Sequence, residues 1–183
     1  MSDATMRAAI KLRLLALGSG MGRVHDYERF ATTPADFLKH FQSPANKKIY
    51  GWEVVRTGLR VSKVAMAKWR LSHRYMVRGY YVLDDAAATE KTFNGLVDLI
   101  VLDLVRTRLA GSERDQLPEA AIETRMFGGI FCHVAEIILP EVSEIVAAVP
   151  EEEMEWLRLG LNYYLQDPED DQVVDASDEI TLA

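Results

Sequence analysis

The side chains able to do chemistry fall in a few places along this chain of 183 residues. His25-Asp26-Tyr27-Glu28-Arg29 is the densest polar run. Side chains of mixed type at neighbouring positions of an irregular segment fan out rather than converge on one atom, so the run reads as a solvated or interface loop. Asp84, Asp85 and Glu90 carry oxygens of the kind that bind a divalent cation. They stand just before and inside the first turn of a helix, where capping and the helix dipole favour acids without any metal. Cys132 and His133 are adjacent in a strand pattern, and alternation sends them to opposite faces, which prevents their acting together as nucleophile and base. His73, among Trp69, Tyr75 and Tyr81, reads as a packed strand residue. None of the histidines has the helical His/Glu spacing of a zinc hydrolase. Gly18-Ser19-Gly20-Met21-Gly22 lacks the preceding strand and the following Gly-Lys-Ser/Thr of a phosphate loop. The residues therefore define no catalytic, metal-binding or cofactor-binding set. A small cytoplasmic enzyme or ligand-binding domain stays open only as a pocket around His73, His133 and Glu136.

The elements that must position these residues follow from hydrophobic period. Met6, Ile10, Leu14 and Leu17 form one helical stripe over 3–18, with Asp3 as cap and Gly18 as stop, and Ala8, Leu12 and Leu15 form a weaker second one. A helix apolar on two sides is expected to be buried on two sides. Residues 18–48 read as a long loop or arm with a short helix over 35–41. From Tyr50 the pattern becomes a strand of mixed faces, a turn is expected over 62–67, and 69–83 is the clearest strand. Its odd positions are apolar or aromatic, whereas Arg70, Arg74 and Arg78 lie in a row on the other face, about 13 Å apart at about 3.3 Å per residue. A helix follows from Thr89 to about 109. Phe93, Leu96, Val97, Ile100 and Leu104 make its main stripe; Leu99, Leu102, Val105 and Leu109 make a second. Strands over 121–127 and 130–139 meet at Phe127-Gly128-Gly129 in a tight hairpin, the second of them apolar on both faces and so central. Leu157, Leu159, Leu161, Tyr163 and Leu165 alternate with polar and small residues as a last strand. The order predicts an α+β domain over 1–165, an antiparallel sheet of about five strands with helices packed on one face, and an extended acidic tail over 166–183.

Composition limits the function classes. One cysteine cannot form an internal disulfide or a cysteine-based zinc site. No apolar run reaches the ~18 residues of a membrane span, and no signal peptide is apparent, so a soluble protein of intracellular origin is expected. The net charge of −7 argues against a dedicated DNA binder. That total conceals a division. Residues 47–78 hold nine basic residues against the single acid Glu53, while 136–179 hold fourteen acids against Arg158. Such halves suit a self-complementary assembly, in which the basic segment of one copy meets the acidic segment of another. The candidate interface set is Arg56, Arg60, Arg70, Arg74 and Arg78 with Glu151, Glu152 and Glu153.

Several stretches carry a resemblance. Arg74-Tyr75-Met76-Val77-Arg78-Gly79-Tyr80-Tyr81-Val82-Leu83-Asp84-Asp85, then Thr89-Glu90-Lys91-Thr92-Phe93, then Arg125-Met126-Phe127-Gly128-Gly129-Ile130-Phe131-Cys132-His133-Val134-Ala135-Glu136 resemble segments of small proteins from tailed bacteriophages and prophages. Asn162-Tyr163-Tyr164-Leu165 followed by Asp175-Ala176-Ser177-Asp178 is similar to the same group, the tail-terminator or tail-completion class of the neck. The resemblance implies a structural virion protein, not an enzyme. It would form a homo-oligomeric ring, a hexamer by resemblance alone, that caps the tail tube and ends its polymerisation. Its partners would be further copies of itself, tube or sheath protein and the head-tail connector, with DNA only as cargo through the lumen, no membrane and no cofactor. The chain departs from the group in its 18–48 segment and its acidic extension after 140. Another head-tail connector or tail component is the alternative within the same class.

Overall fold

The computed structural model describes residues 2–43, 48–65, 67–127 and 129–147. In chain order its elements are α1 (Asp3–Ala16), β1 (Arg23–His25), α2 (Pro34–Phe41), β2 (Tyr50–Ala65), β3 (Lys68–Val82), α3 (Thr89–Arg106), β4 (Glu119–Phe127), β5 (Ile130–Ile138) and β6 (Val142–Ala147). The strand expected at 157–165, the Glu151, Glu152 and Glu153 run and the acidic tail lie outside the described residues.

The architecture is α+β. Among the described residues six strands form one sheet in the order β1-β2-β3-β5-β4, with β6 also paired to β3. Every pairing is antiparallel except that of β1 with β2. One flank of β3 is covered along its length by β2; the other carries β6 over Lys68–His73 and β5 over Met76–Val82. Between β5 and β6 stands Pro140, which has no N–H to give a ladder, so one strand ends and the next begins there.

The turn expected over 62–67 is confined to the end of that range. β2 continues to Ala65, and the reversal is confined to the positions before Lys68, with Ala67 at φ 54°. Register shifts between Arg56 and Gly58 and between Lys63 and Ala65 interrupt the alternation of β2. An extra residue at a bulge exchanges the parities. Trp52, Val54 and Arg56 therefore share a face with Leu59 and Val61, and a strict alternation test breaks at the bulge.

Two cores result. On one face α1 and α3 lay Met6, Ile10, Leu14, Phe93, Val97 and Ile100 over Trp52, Val54, Tyr75, Val77, Ala135 and Ile137. Trp52 stacks on Phe93 with ring centroids 5.7 Å apart. Gly79 makes this possible, because a Cβ there would stand 2.2 Å from the indole Cζ3. On the opposite face α2 places Phe37 and Phe41 on Ile49, Tyr80, Cys132 and Val134. The pair α1 and α3 thus packs on one face as expected, and the short α2 covers the other. The 18–48 segment is correspondingly more ordered than an arm. Its β1 pairs with Gly51–Glu53, and α2 starts at Thr33, whose hydroxyl caps Asp36 N–H, with Pro34 in the first turn. A three-residue strand is too short to leave a periodic signal.

The first helix is capped by Ser2, which accepts from Thr5 N–H at 3.2 Å. Asp3, expected as the cap, instead accepts from the buried Tyr75 hydroxyl at 2.8 Å and from Arg7 at 2.9 Å. Among the described residues no helix is long and apolar enough to cross a membrane.

Candidate functional site

The most tightly built polar group lies on the α2 face of the sheet. Glu53 on β2 and Arg78 on β3 are cross-strand partners. The Glu53 carboxylate is fully buried, and it accepts from Arg29 N–H at 2.7 Å, the Tyr80 hydroxyl at 2.9 Å and Arg78 Nη1 at 3.4 Å. Arg78 also reaches Glu28 at 3.0 Å and Glu136 at 3.2 Å. Burial pushes the Glu53 carboxyl above its usual range, against the pull of its three donors. The same burial, reinforced by Glu53, raises the Tyr80 hydroxyl. Chemically this is a clamp: it ties the 26–30 segment, β2, β3 and β5 together through one guanidinium, and its acid is sealed from substrate by Tyr80 and the loop.

The polar run ahead of α2 is fully explained by separate partners. His25 Nε2 meets His40 O at 3.0 Å, Asp26 pairs with Lys11 at 3.4 Å, and Glu28 binds Arg78. The Arg29 guanidinium donates to His40 Nδ1 at 3.1 Å and lies over the Tyr27 ring. The five side chains do not converge, as the sequence indicates; they tie the segment to α1, α2 and β3, with Tyr27 and Glu28 left partly exposed.

The structure divides the arginine set. Arg78 is the hub just described, Arg74 binds Glu141 at 2.5 Å, and Arg56 stands 3.8 Å from Asp3. Arg60 and Arg70, on the ribbon that β2, β3 and β6 extend past Gly58, are exposed and pair with none of the described residues. Arg70, Arg74 and Arg78 do share one face, since β3 runs through them without a shift. The partners of Arg74 and Arg78 are acids of the chain's own 28–141 span, whereas Glu151, Glu152 and Glu153 lie outside the described residues.

Other candidates separate as well. Cys132 is buried under α2, where burial alone pushes its thiol up to about 11. His133 is on the opposite face, 3.4 Å from Thr89 Oγ1 and stacked against Phe93. Glu136 shares the Arg78 face, so His133 and Glu136 cannot address one ligand. His73 is elsewhere again, bonded to Glu144 at 3.2 Å beside a cavity of about 170 Å³ with Met6, Tyr75 and Val142. The pocket that an enzyme would need around His73, His133 and Glu136 is not assembled. A groove of about 720 Å³ does lie between the start of α3 and β4, lined by Asp84, Asp85, Thr89, Asn94, Glu123 and His133 among others. Of its acids, Asp84 serves the backbone, its carboxylate accepting from Ala87 N–H while its own N–H and carbonyl bracket the Thr89 hydroxyl, and Glu123 pairs with Arg125.

The remaining outstanding feature is apolar. Leu99, Leu102 and Val105 form the outer stripe of α3, and they are 40–49% exposed. α1, joined to α3 by the Arg13–Asp103 pair at 2.5 Å, adds the exposed Leu12 and Leu15. Of the second helix sides read from the sequence as buried, Leu12, Leu15, Leu99, Leu102 and Val105 are thus open in the single chain, whereas Ala8 is half-buried and Leu109, past the end of α3, packs against the core. The ribbon adds exposed Leu59, Val61, Trp69 and Val146 on its α1 side, a face hidden from the sequence by the bulge. Comparison with protein-family models and with curated proteins finds no match for this chain.

Proposed function

We propose that this protein is a structural subunit of a tailed-phage neck, forming a ring that caps the tail tube, ends its polymerisation and joins the tail to the head connector. The observation that carries the reading is the exposed apolar helix layer. Leu99, Leu102 and Val105 are exposed at helical spacing on α3, Leu12 and Leu15 are exposed on α1, which an ion pair joins to it, and exposed apolar side chains grouped in this way mark a protein contact. The polar groups support the same direction, because the buried acid, the arginines of the clamp and the histidines are each absorbed by packing or by an ion pair. The segments that resemble the phage group coincide with β3 at the centre of the sheet, the start of α3, and the β4–β5 hairpin at one edge.

A subunit with an apolar helix layer on one part and a projecting ribbon on another suits a heterologous contact, which closes into a ring when the rotation permits. The test is made in the phage or prophage that encodes the chain. Without the protein, tails run past their normal length and lack heads, and the wild-type chain restores them where Leu99→Asp/Leu102→Asp does not. Tails of normal length joined to full heads overturn the reading. Filled heads that leak DNA, with tails of normal length, assign the protein to the connector instead.

A further inference from the structure

The ribbon leaves an edge and a face without a partner. β2 pairs with β1 only over Gly51–Glu53, so among the described residues no strand lies along its edge away from β3 from Val55 to Ala65. A strand edge of that length is a template for another strand. On the face above that edge Leu59 and Val61 are 48% and 57% exposed, with Trp69 across the register. From Leu59 to Leu71 the charges are Arg60, Lys63, Lys68 and Arg70, with no acid among them.

One segment of the chain matches all three properties. Leu157, Leu159, Leu161, Tyr163 and Leu165 alternate with Arg158, Gly160, Asn162 and Tyr164, a pattern for an amphipathic strand. Glu151, Glu152, Glu153 and Glu155 precede it, and Asp167, Glu169, Asp170 and Asp171 follow. β6 delivers the chain toward it at the far end of the ribbon, where Ala147 pairs with Lys68. The sequence places Pro150 three residues further on, and a proline has no N–H to give a ladder. The chain's own β6 is a poor acceptor for nine residues, because Val142 and Ser143 are already bonded by Ser112 and Gly111, leaving only Glu144–Ala147. Its own β2 edge is reached only by crossing the end of the ribbon.

We infer that residues 157–165 of one copy add as a strand to the Val55–Ala65 edge of the next copy. The leucines cover Leu59, Val61 and Trp69, and the flanking acids meet Arg60, Lys63, Lys68 and Arg70. This rests on the ring reading and supplies its contact: each copy gives a strand and receives one, head to tail. It also gives the exposed Arg60 and Arg70 the acidic partners that Arg74 and Arg78 already have within the chain.

The experiment uses the full chain. Equal parts of unlabelled and heavy-isotope-labelled protein are unfolded together, refolded, and joined by a zero-length carbodiimide, and the linked peptides are read by mass spectrometry. Links from Lys63 or Lys68 to the acids of 151–155 or 167–171 are expected, with about half of the linked pairs mixed in isotope, as random exchange between copies requires. In Leu159→Asp/Leu161→Asp, links fall at least about tenfold and self-association weakens with them, since the strand loses its apolar anchors. Links that are all unmixed place the strand on its own chain and overturn the inference. So does a protein that self-associates with no such links, or whose Leu159→Asp/Leu161→Asp form associates as tightly as wild type; both leave the ring reading standing. A chain that stays monomeric at millimolar concentration, and in assembled tails, overturns the two together.

Discussion

Replacing Arg78 by Met tests whether the clamp belongs to the fold. The substitution keeps much of the side chain's apolar length and removes its charge, leaving Glu53 buried with only the Tyr80 hydroxyl and Arg29 N–H. At the Glu53–Arg78 separation of 3.4 Å, an effective dielectric constant of ~20 gives about 5 kcal/mol of attraction. Part of that offsets desolvation of both ions, and breaking one side of a buried pair costs about 3–5 kcal/mol. Glu28 adds little, being more than half exposed. Arg78→Met should therefore lose about 3–5 kcal/mol in urea denaturation followed by tryptophan fluorescence and circular dichroism. The double variant Glu53→Gln/Arg78→Met should recover about 2 kcal/mol or more, because the amide strands no charge: its oxygen accepts from Arg29 N–H and its NH2 donates to the Tyr80 hydroxyl oxygen. The pH dependence has a definite sign. Burial already raises the Glu53 carboxyl above its ordinary 4.5, and loss of Arg78 raises it further. The folded variant then holds a proton that the unfolded chain releases, so its stability is greatest below about pH 4.5 and falls as pH rises through the folded value. A loss under about 1 kcal/mol, or a deficit that shrinks as pH rises, would refute the reasoning and free Arg78 for an intersubunit role.

Gly79→Ala should destabilise by about 1–3 kcal/mol or more, since the new methyl meets a buried indole that has no room to turn; a melting temperature within a degree of wild type would contradict this. Leu99→Asp/Leu102→Asp should change monomer stability by less than about 1 kcal/mol while abolishing self-association, which urea titration and light scattering read separately. Tyr75→Phe should cost about 1 kcal/mol by leaving Asp3 one donor short, visible as a lower urea midpoint at unchanged slope. The Cys132 thiol should react with a thiol reagent only at the rate of unfolding, because it is fully buried and its pKa stands near 11; fast labelling of the native chain would place it at the surface.

Much of this was legible in the chain. The stripe of Met6, Ile10 and Leu14, the stripe of Phe93, Val97, Ile100 and Leu104, the odd positions of β3 and the doubly apolar β5 each follow from a period of about 3.6 or 2, which depends only on backbone geometry. The separation of Cys132 from His133 follows for the same reason. The second stripes of α1 and α3 were equally visible, but whether a neighbouring element of the same chain covers them is a matter of topology, and here Leu12, Leu15, Leu99, Leu102 and Val105 stay exposed. The bulge near Thr57 was not visible, because one inserted residue reverses the parity of everything beyond it while leaving composition unchanged. The fate of the basic block was least visible of all. Charge counting treats Arg56, Arg74 and Arg78 like Arg60 and Arg70, whereas pairing over separations of dozens of residues gives the first three their acids within the chain and leaves the last two on a projecting ribbon. Local periodicity and composition are properties of sequence; which charge is already neutralised, and which apolar stripe still faces water, depend on contacts between residues distant in the chain, and only the tertiary structure decides them.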